Sequence, residues 1–165
     1  MADGGNGEPS ADAGAVDLIL EVTCRPFMTD SDELHDAIRL LQASCSREAR
    51  DADFAEWSLS MINLGCALTL AGKCDGTAGD VARIEEAIDT FNALLSEPRM
   101  RGMTYEQAIA LINLADALCS MSELEIADRR VECLESAAFS LAKALCLVVP
   151  AELSAVVGLD SGGLA

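Results

Sequence analysis

The sequence predicts an all-α fold, an antiparallel helix-pair repeat array. Three observations carry that prediction. Ala, Leu and Glu abound, while aromatics make up only 4% of the 165 residues, and this usage favours helix over strand. Apolar residues fall at i, i+3, i+4 and i+7, which puts them on one helical face. That pattern then returns with a period of 50 residues.

The elements follow in chain order. Residues 1–14 are rich in Gly, Ala and Asp and are expected to be a disordered leader. The helical repeat domain is expected over 15–149, and residues 150–165 form a C-terminal cap or tail. Asp30-Ser31 is an N-cap signal for a helix near 31–47. Its apolar set is Leu34, Ala37, Ile38 and Leu41. The same face recurs as Ile84, Ala87, Ile88 and Phe91, and again as Leu134, Ala137, Ala138 and Leu141. Between these lie helices of a second kind, in which Met61-Ile-Asn-Leu-Gly-Cys-Ala-Leu68 matches Leu111-Ile-Asn-Leu-Ala-Asp-Ala-Leu118. The order is therefore B, A, B, A, B. Helices are expected near 31–47, 54–71, 80–96, 104–121 and 125–149. Gly72–Gly79 reads as an A–B loop, and Pro98 and Pro150 each stop a B helix. Gly65 and Ala115 hold equivalent A-helix sites, where a small residue lets two backbones approach.

At these residues the chain resembles a tetratricopeptide repeat. Trp57 ahead of Asn63-Leu-Gly65, the Gly72 and Gly76-Thr77 loop, and Ile84-Glu-Glu-Ala-Ile88 are similar to the "NLG" variety of that repeat. The resemblance covers about residues 31–146. It implies a TPR-like α-solenoid of about two and a half repeats that serves as a protein-interaction module or scaffold. The period of 50 exceeds the usual length of about 34, which points to longer loops.

Charge excludes several functions. Asp and Glu number 28 against 11 Lys and Arg, a net charge of -17. Such a surface repels phosphate backbones and anionic bilayers, so neither nucleic acid nor membrane is expected as a partner. The window Leu141–Val157 is apolar, but Lys143, Pro150 and Glu152 interrupt it. Seven Cys without a CxxC pair, and the single His35, give no zinc pattern. They read as small core residues of a reduced, cytoplasmic protein. Lys73 follows Gly72 without a phosphate-loop glycine spacing, Ser161 is in no nucleophile elbow, and His35 has no nucleophile beside it. No enzyme activity, metal or cofactor is expected.

In stacked helix pairs the A helices build most of the concave face. The candidate partner-binding residues are Leu59, Ile62, Asn63, Cys66 and Thr69, with Ile109, Ile112, Asn113, Asp116 and Cys119. Asn63 and Asn113 either hold an extended peptide backbone or fix the packing of their own helices. No cation stands at Leu59, Ile62, Ile109 or Ile112, so a carboxylate clamp is absent. The expected partner is a protein or peptide, apolar or basic. The alternative is a self-associating regulatory or structural helical domain whose apolar ends pair with another copy. Trp57 is expected to pack on the preceding helix near Leu41. Arg99, Arg101, Arg129 and Arg130 are expected to be solvated or to balance acidic neighbours.

Overall fold

A computed structural model describes residues 31–74, 78–125 and 127–149. The leader 1–14, residues 15–22, Asp30 and the tail 150–165 lie outside the described residues. The described chain is wholly helical, with six helices, a short 3-10 helix and no strand. These are α1 (Ser31–Ser44), α2 (Arg47–Ala52), α3 (Phe54–Cys74), α4 (Ala78–Ser96), a 3-10 helix (Pro98–Gly102), α5 (Thr104–Leu124) and α6 (Ala127–Val148).

Neighbours in space follow the alternation of the two helix kinds. α1 packs on α3, α3 on α4, α4 on α5 and α5 on α6, and α3 also touches α5. Connections of a few residues between α3 and α4, and between α5 and α6, make each pair run antiparallel. The main core runs through α1, α3, α4 and α5, with Leu41, Leu68, Phe91 and Leu94 fully buried. A smaller cluster of Ala108, Leu111 and Ala144 joins α5 to α6.

α3 sits at the centre and is buried on most sides. By length and composition it could cross a membrane, with a mean hydropathy of 1.2. Yet 61% of that window is buried within the fold. Its buried hydroxyls need no partner from outside. Ser58 donates to the Ala55 carbonyl at 2.8 Å and Thr69 to the Gly65 carbonyl at 2.9 Å. A small side chain bonded back to its own helix allows close packing at no unsatisfied cost.

The closest approach is between α3 and α4. A Cβ added at Gly65 would overlap the Phe91 ring, which is fully buried. Glycine is therefore required here for space. In the second repeat the two positions change in opposite senses: the larger Ala115 stands for Gly65, and the smaller Leu141 for Phe91.

Trp57 packs as expected. It is buried, stacks on Phe54 at 5.4 Å and donates from Nε1 to the Cys45 carbonyl at the end of α1. Asp53 caps α3 by accepting from the backbone of Ala55 and Glu56.

Several expectations are corrected. The long period is not spent on loops. α3 and α5 have 21 residues each, and the linkers between B and A helices are themselves helical. Helix α3 runs through Gly72 to Cys74 and α4 starts at Ala78, so residues 72–74 and 78–79 of the expected loop are helical, and residues 75–77 lie outside the described residues. α2 and the 3-10 helix were not foreseen, because neither carries a periodic apolar set. They pin each other instead: Arg50 donates to Glu97 at 2.9 Å, and Arg99 donates to the Arg50 carbonyl while lying over Phe54. His35 is half-buried and accepts from Arg83 of α4 at 2.7 Å. The described cysteines sit at the margin of the core: five are partly buried and Cys74 is exposed.

The Gly65–Phe91 contact makes a quantitative prediction. Gly65→Ala costs about 1–3 kcal/mol of overpacking, outweighing the about 1 kcal/mol that alanine gains over glycine in a helix. Combined with Phe91→Leu, the loss should be smaller than the sum of the two single losses by at least about 0.5 kcal/mol. Urea unfolding of the four proteins measures this, and strict additivity would refute the contact.

Candidate functional site

The ten residues expected on the α3–α5 face do come from adjoining helices, but the fold uses many of them itself. Ile62 and Thr69 are buried, and Ile109 packs against the core. Asn113 donates from Nδ2 to the Ile109 carbonyl of its own helix at 2.9 Å, the packing role weighed above. Asp116 is paired with Lys73 at 2.7 Å, which ties α5 to α3. Asn63 and Cys119 are half-buried. Only Leu59 and Ile112, 48% and 49% exposed, offer large apolar area. Lys73 is a cation at this face that the sequence reading placed in a loop. Its charge is answered by Asp116.

Cys66 lies beside this pair. Burial pushes its thiol up to about 11 from 9.0, with Asp116 adding to the rise and Lys73 opposing it. The Cys133 thiol is raised as well, first by burial and then by Glu125. Both shifts favour the protonated thiol over the thiolate. Among the described residues, no group of three or more His, Cys, Asp or Glu is placed to hold a metal.

A more open site lies between α4 and α6, over α5. One cavity of about 540 Å³ is lined by Asn92, Leu95, Leu111, Ser140 and Phe139 among others. A second, of about 430 Å³, is lined by Glu85, Asp89, Arg129, Glu132 and Cys133. The two share Ile88, Leu118 and Ser136, so they form one groove.

The repeat explains why the groove is there. Between α1 and α4 the corresponding gap is bridged by long polar side chains. His35 meets Arg83, and Gln42 donates to Glu86 at 3.2 Å. Fifty residues on, these positions are Glu85 with Cys133, and Asn92 with Ser136. Cysteine and serine are too short to close the gap. The remaining bridge is Arg129 to Glu85 at 3.5 Å, near the start of α6. Leu68 and Ile38 are therefore sealed, whereas their equivalents Leu118 and Ile88 are only half-buried and line the groove. Reading the sequence for apolar registers alone missed this. The signal was the exchange of Arg83 for Cys133 and of Glu86 for Ser136 at the period.

Chemically the groove has an apolar floor of Leu111, Leu114 and Leu118 and an aromatic wall in Phe139, 48% exposed. Its rim holds the carboxylates of Glu85, Asp89, Glu132 and Glu135 against the cations of Arg129 and Lys143. No family model matches the chain, and neither a curated protein nor a solved structure matches it.

The Cys66 shift predicts a pH effect. The folded state keeps this proton more tightly than the unfolded chain. Its contribution is complete below pH 9 and fades as pH rises from 9 toward 11. Cys66→Ala should therefore lose less stability than wild type over that interval in urea titrations. Iodoacetamide should alkylate exposed Cys74 well before Cys66. Equal rates for the two thiols would contradict the buried environment.

Proposed function

We propose that the chain is a non-catalytic protein-interaction module of tetratricopeptide-repeat type, working as a scaffold in the cytoplasm. Its seat for a partner is the groove between α4 and α6. The observation that carries this reading is the groove itself: an apolar floor and one exposed aromatic under a mainly acidic rim. Such a trough suits a segment that presents apolar anchors on one side and basic residues at its edges. Burial of the anchors supplies affinity, and the field of a chain with net charge -17 speeds the encounter. The alternation of helix neighbours, the 50-residue register and the Trp57 and Gly65 contacts support the repeat assignment. The free cysteines support a reducing compartment.

The test uses a short dye-labelled amphipathic helix with leucines on one face and flanking lysines, alongside its scrambled form. Fluorescence anisotropy should detect binding of the first and not the second, weakening as salt rises. Phe139→Asp should lower affinity at least about tenfold, about 1.4 kcal/mol, with helicity unchanged because the side chain is half in solvent. Cys133→Arg with Ser136→Glu should rebuild the missing bridge and block the groove. Ile112→Asp should leave binding intact. Loss with Ile112→Asp and none with Phe139→Asp would move the seat to the α3–α5 face, and indifference to both would end the groove proposal.

A further inference from the structure

The groove between α4 and α6 differs at its two ends. In one cavity Glu85, Ile88 and Asp89 of α4 meet Arg129, Glu132 and Cys133 of α6, and in the other Asn92 and Leu95 meet Phe139 and Lys143. Residue numbers rise together along both walls, so α4 and α6 run parallel. Beneath them α5 runs the other way, giving Met121 to the first cavity and Leu114 and Leu111 to the second. Charge is distributed along the same axis. Glu85, Asp89 and Glu132 stand around the first cavity, with Glu135 one turn further on. Arg129 answers Glu85 at 3.5 Å and Glu125 at 3.1 Å. Among the described residues no ion pair engages Asp89, Glu132, Glu135 or Lys143. Lys143 is the last charge on the lining, eight residues beyond Glu135 and about 12 Å further along α6. The trough thus carries unanswered carboxylates at one end and an unanswered ammonium at the other, over a leucine floor.

We infer that the groove takes its partner as an α-helix in one direction: antiparallel to α4 and α6, with an acidic first turn over Lys143 and a basic last turn over Asp89 and Glu132. The inference rests on the groove as the partner's seat and adds the form, charge order and direction of what fills it. The form follows from the floor. Ile88, Leu111, Leu114 and Leu118 offer no hydrogen bond to a main chain. Ser140 already donates to the Ser136 carbonyl at 2.9 Å, which leaves Asn92 and Ser136 as the neutral polar side chains of the lining. An extended segment would bury peptide groups without partners, whereas a helix bonds its own. The span fits as well. Glu132 and Lys143 are eleven residues apart, about 16 Å along the axis. Residues eleven apart in a partner helix return to one face, so its carboxylate and its cation can both meet the trough, with leucines between them on the floor. The direction follows from the dipole. A free helix favours carboxylates in its first turn and cations in its last. Laid antiparallel to the walls, that order matches the groove at both ends. A helix laid parallel would need the reverse order, which opposes its own dipole.

The test uses two dye-labelled peptides of about four helical turns with the same leucine face. One has glutamates in its first turn and lysines in its last; the other has the two charges exchanged. Anisotropy with the full chain at low salt should show the first binding at least about fivefold tighter, a difference that shrinks as salt rises. Lys143→Glu combined with Asp89→Lys and Glu132→Lys should invert the preference. Since the peptides are unchanged, their own helicity cannot produce the inversion. All three positions are exposed, so the circular dichroism of this variant should match wild type. On wild type, a benzophenone on the last turn of the first peptide should crosslink within 85–89 or 129–133, and one on its first turn within 92–95 or 139–143. A proline at the centre of the peptide should weaken binding at least about tenfold. Equal affinity for the two charge orders, a preference that survives the exchange, crosslinks at the opposite ends, or indifference to the proline each overturns the inference, while the groove itself stands if Phe139→Asp still weakens binding. Binding that ignores Phe139→Asp puts the failure in the groove and takes the inference with it.

Discussion

The fit of the Phe91 ring over the bare backbone of Gly65 is the contact on which the array depends. It lets α3 and α4 approach until their small residues, Ala67, Ala71 and Ala87, are fully covered. With α4 held there, its other flank receives α5, and the same helix serves two neighbours. The ring is large, buried and in contact with main chain, so the pair has one arrangement and little freedom to slide. The wedge formed by the Arg50–Glu97 pair and Arg99 then fixes the linkers that turn each B helix into the next A helix. Position in this fold comes from steric fit first, and polar bridges lock it afterwards.

The helices and their core were legible because periodicity and burial report the same thing. In α1 and α4 this holds: Leu34 and Leu41 stand at helical spacing, Ile84 repeats Leu34 fifty residues on, and all three are buried, whereas in α6 Leu134 and Leu141 keep the register yet are 44% and 42% exposed. Helix ends were less legible. Gly72 looks like a breaker, yet it lies buried inside α3, which runs through it despite a propensity cost of about 1 kcal/mol. α2 could not be read from a hydrophobic pattern, since none of its residues is buried. Its Ser46 cap was present in the sequence, but its partner Glu97 lies 47 positions away.

The candidate site was less legible still, for a related reason. The α3–α5 face was inferred from where repeat arrays commonly bind, and the helices do meet there. The fold, however, spends Ile62 and Thr69 on its core and Asp116 on Lys73. The groove between α4 and α6 comes from what is missing. Two bridges present in the first interval have no counterpart in the second, because Cys133 and Ser136 replace longer groups. A gap caused by short side chains leaves no hydrophobic signature. It emerges only when polar positions are compared at the repeat spacing.

The same comparison explains why the surfaces available for partners gather on α6. From the first interval to the second, Gly65 with Phe91 becomes Ala115 with Leu141, and the bridges between B helices shorten. α5 and α6 meet through Ala108, Leu111, Ala144 and Leu147, and the described residues that α6 fully buries, Ala137, Ser140 and Ala144, are all small. α6 therefore has apolar surface left on two sides of its contact with α5, one facing the groove and one facing away. Anything that covers either side adds burial where the array is least covered, and by mass action it stabilises the fold. Binding and folding are thus coupled most strongly at this end. The α1–α3–α4 end, sealed by Leu41, Trp57 and Phe91, acts as the rigid base.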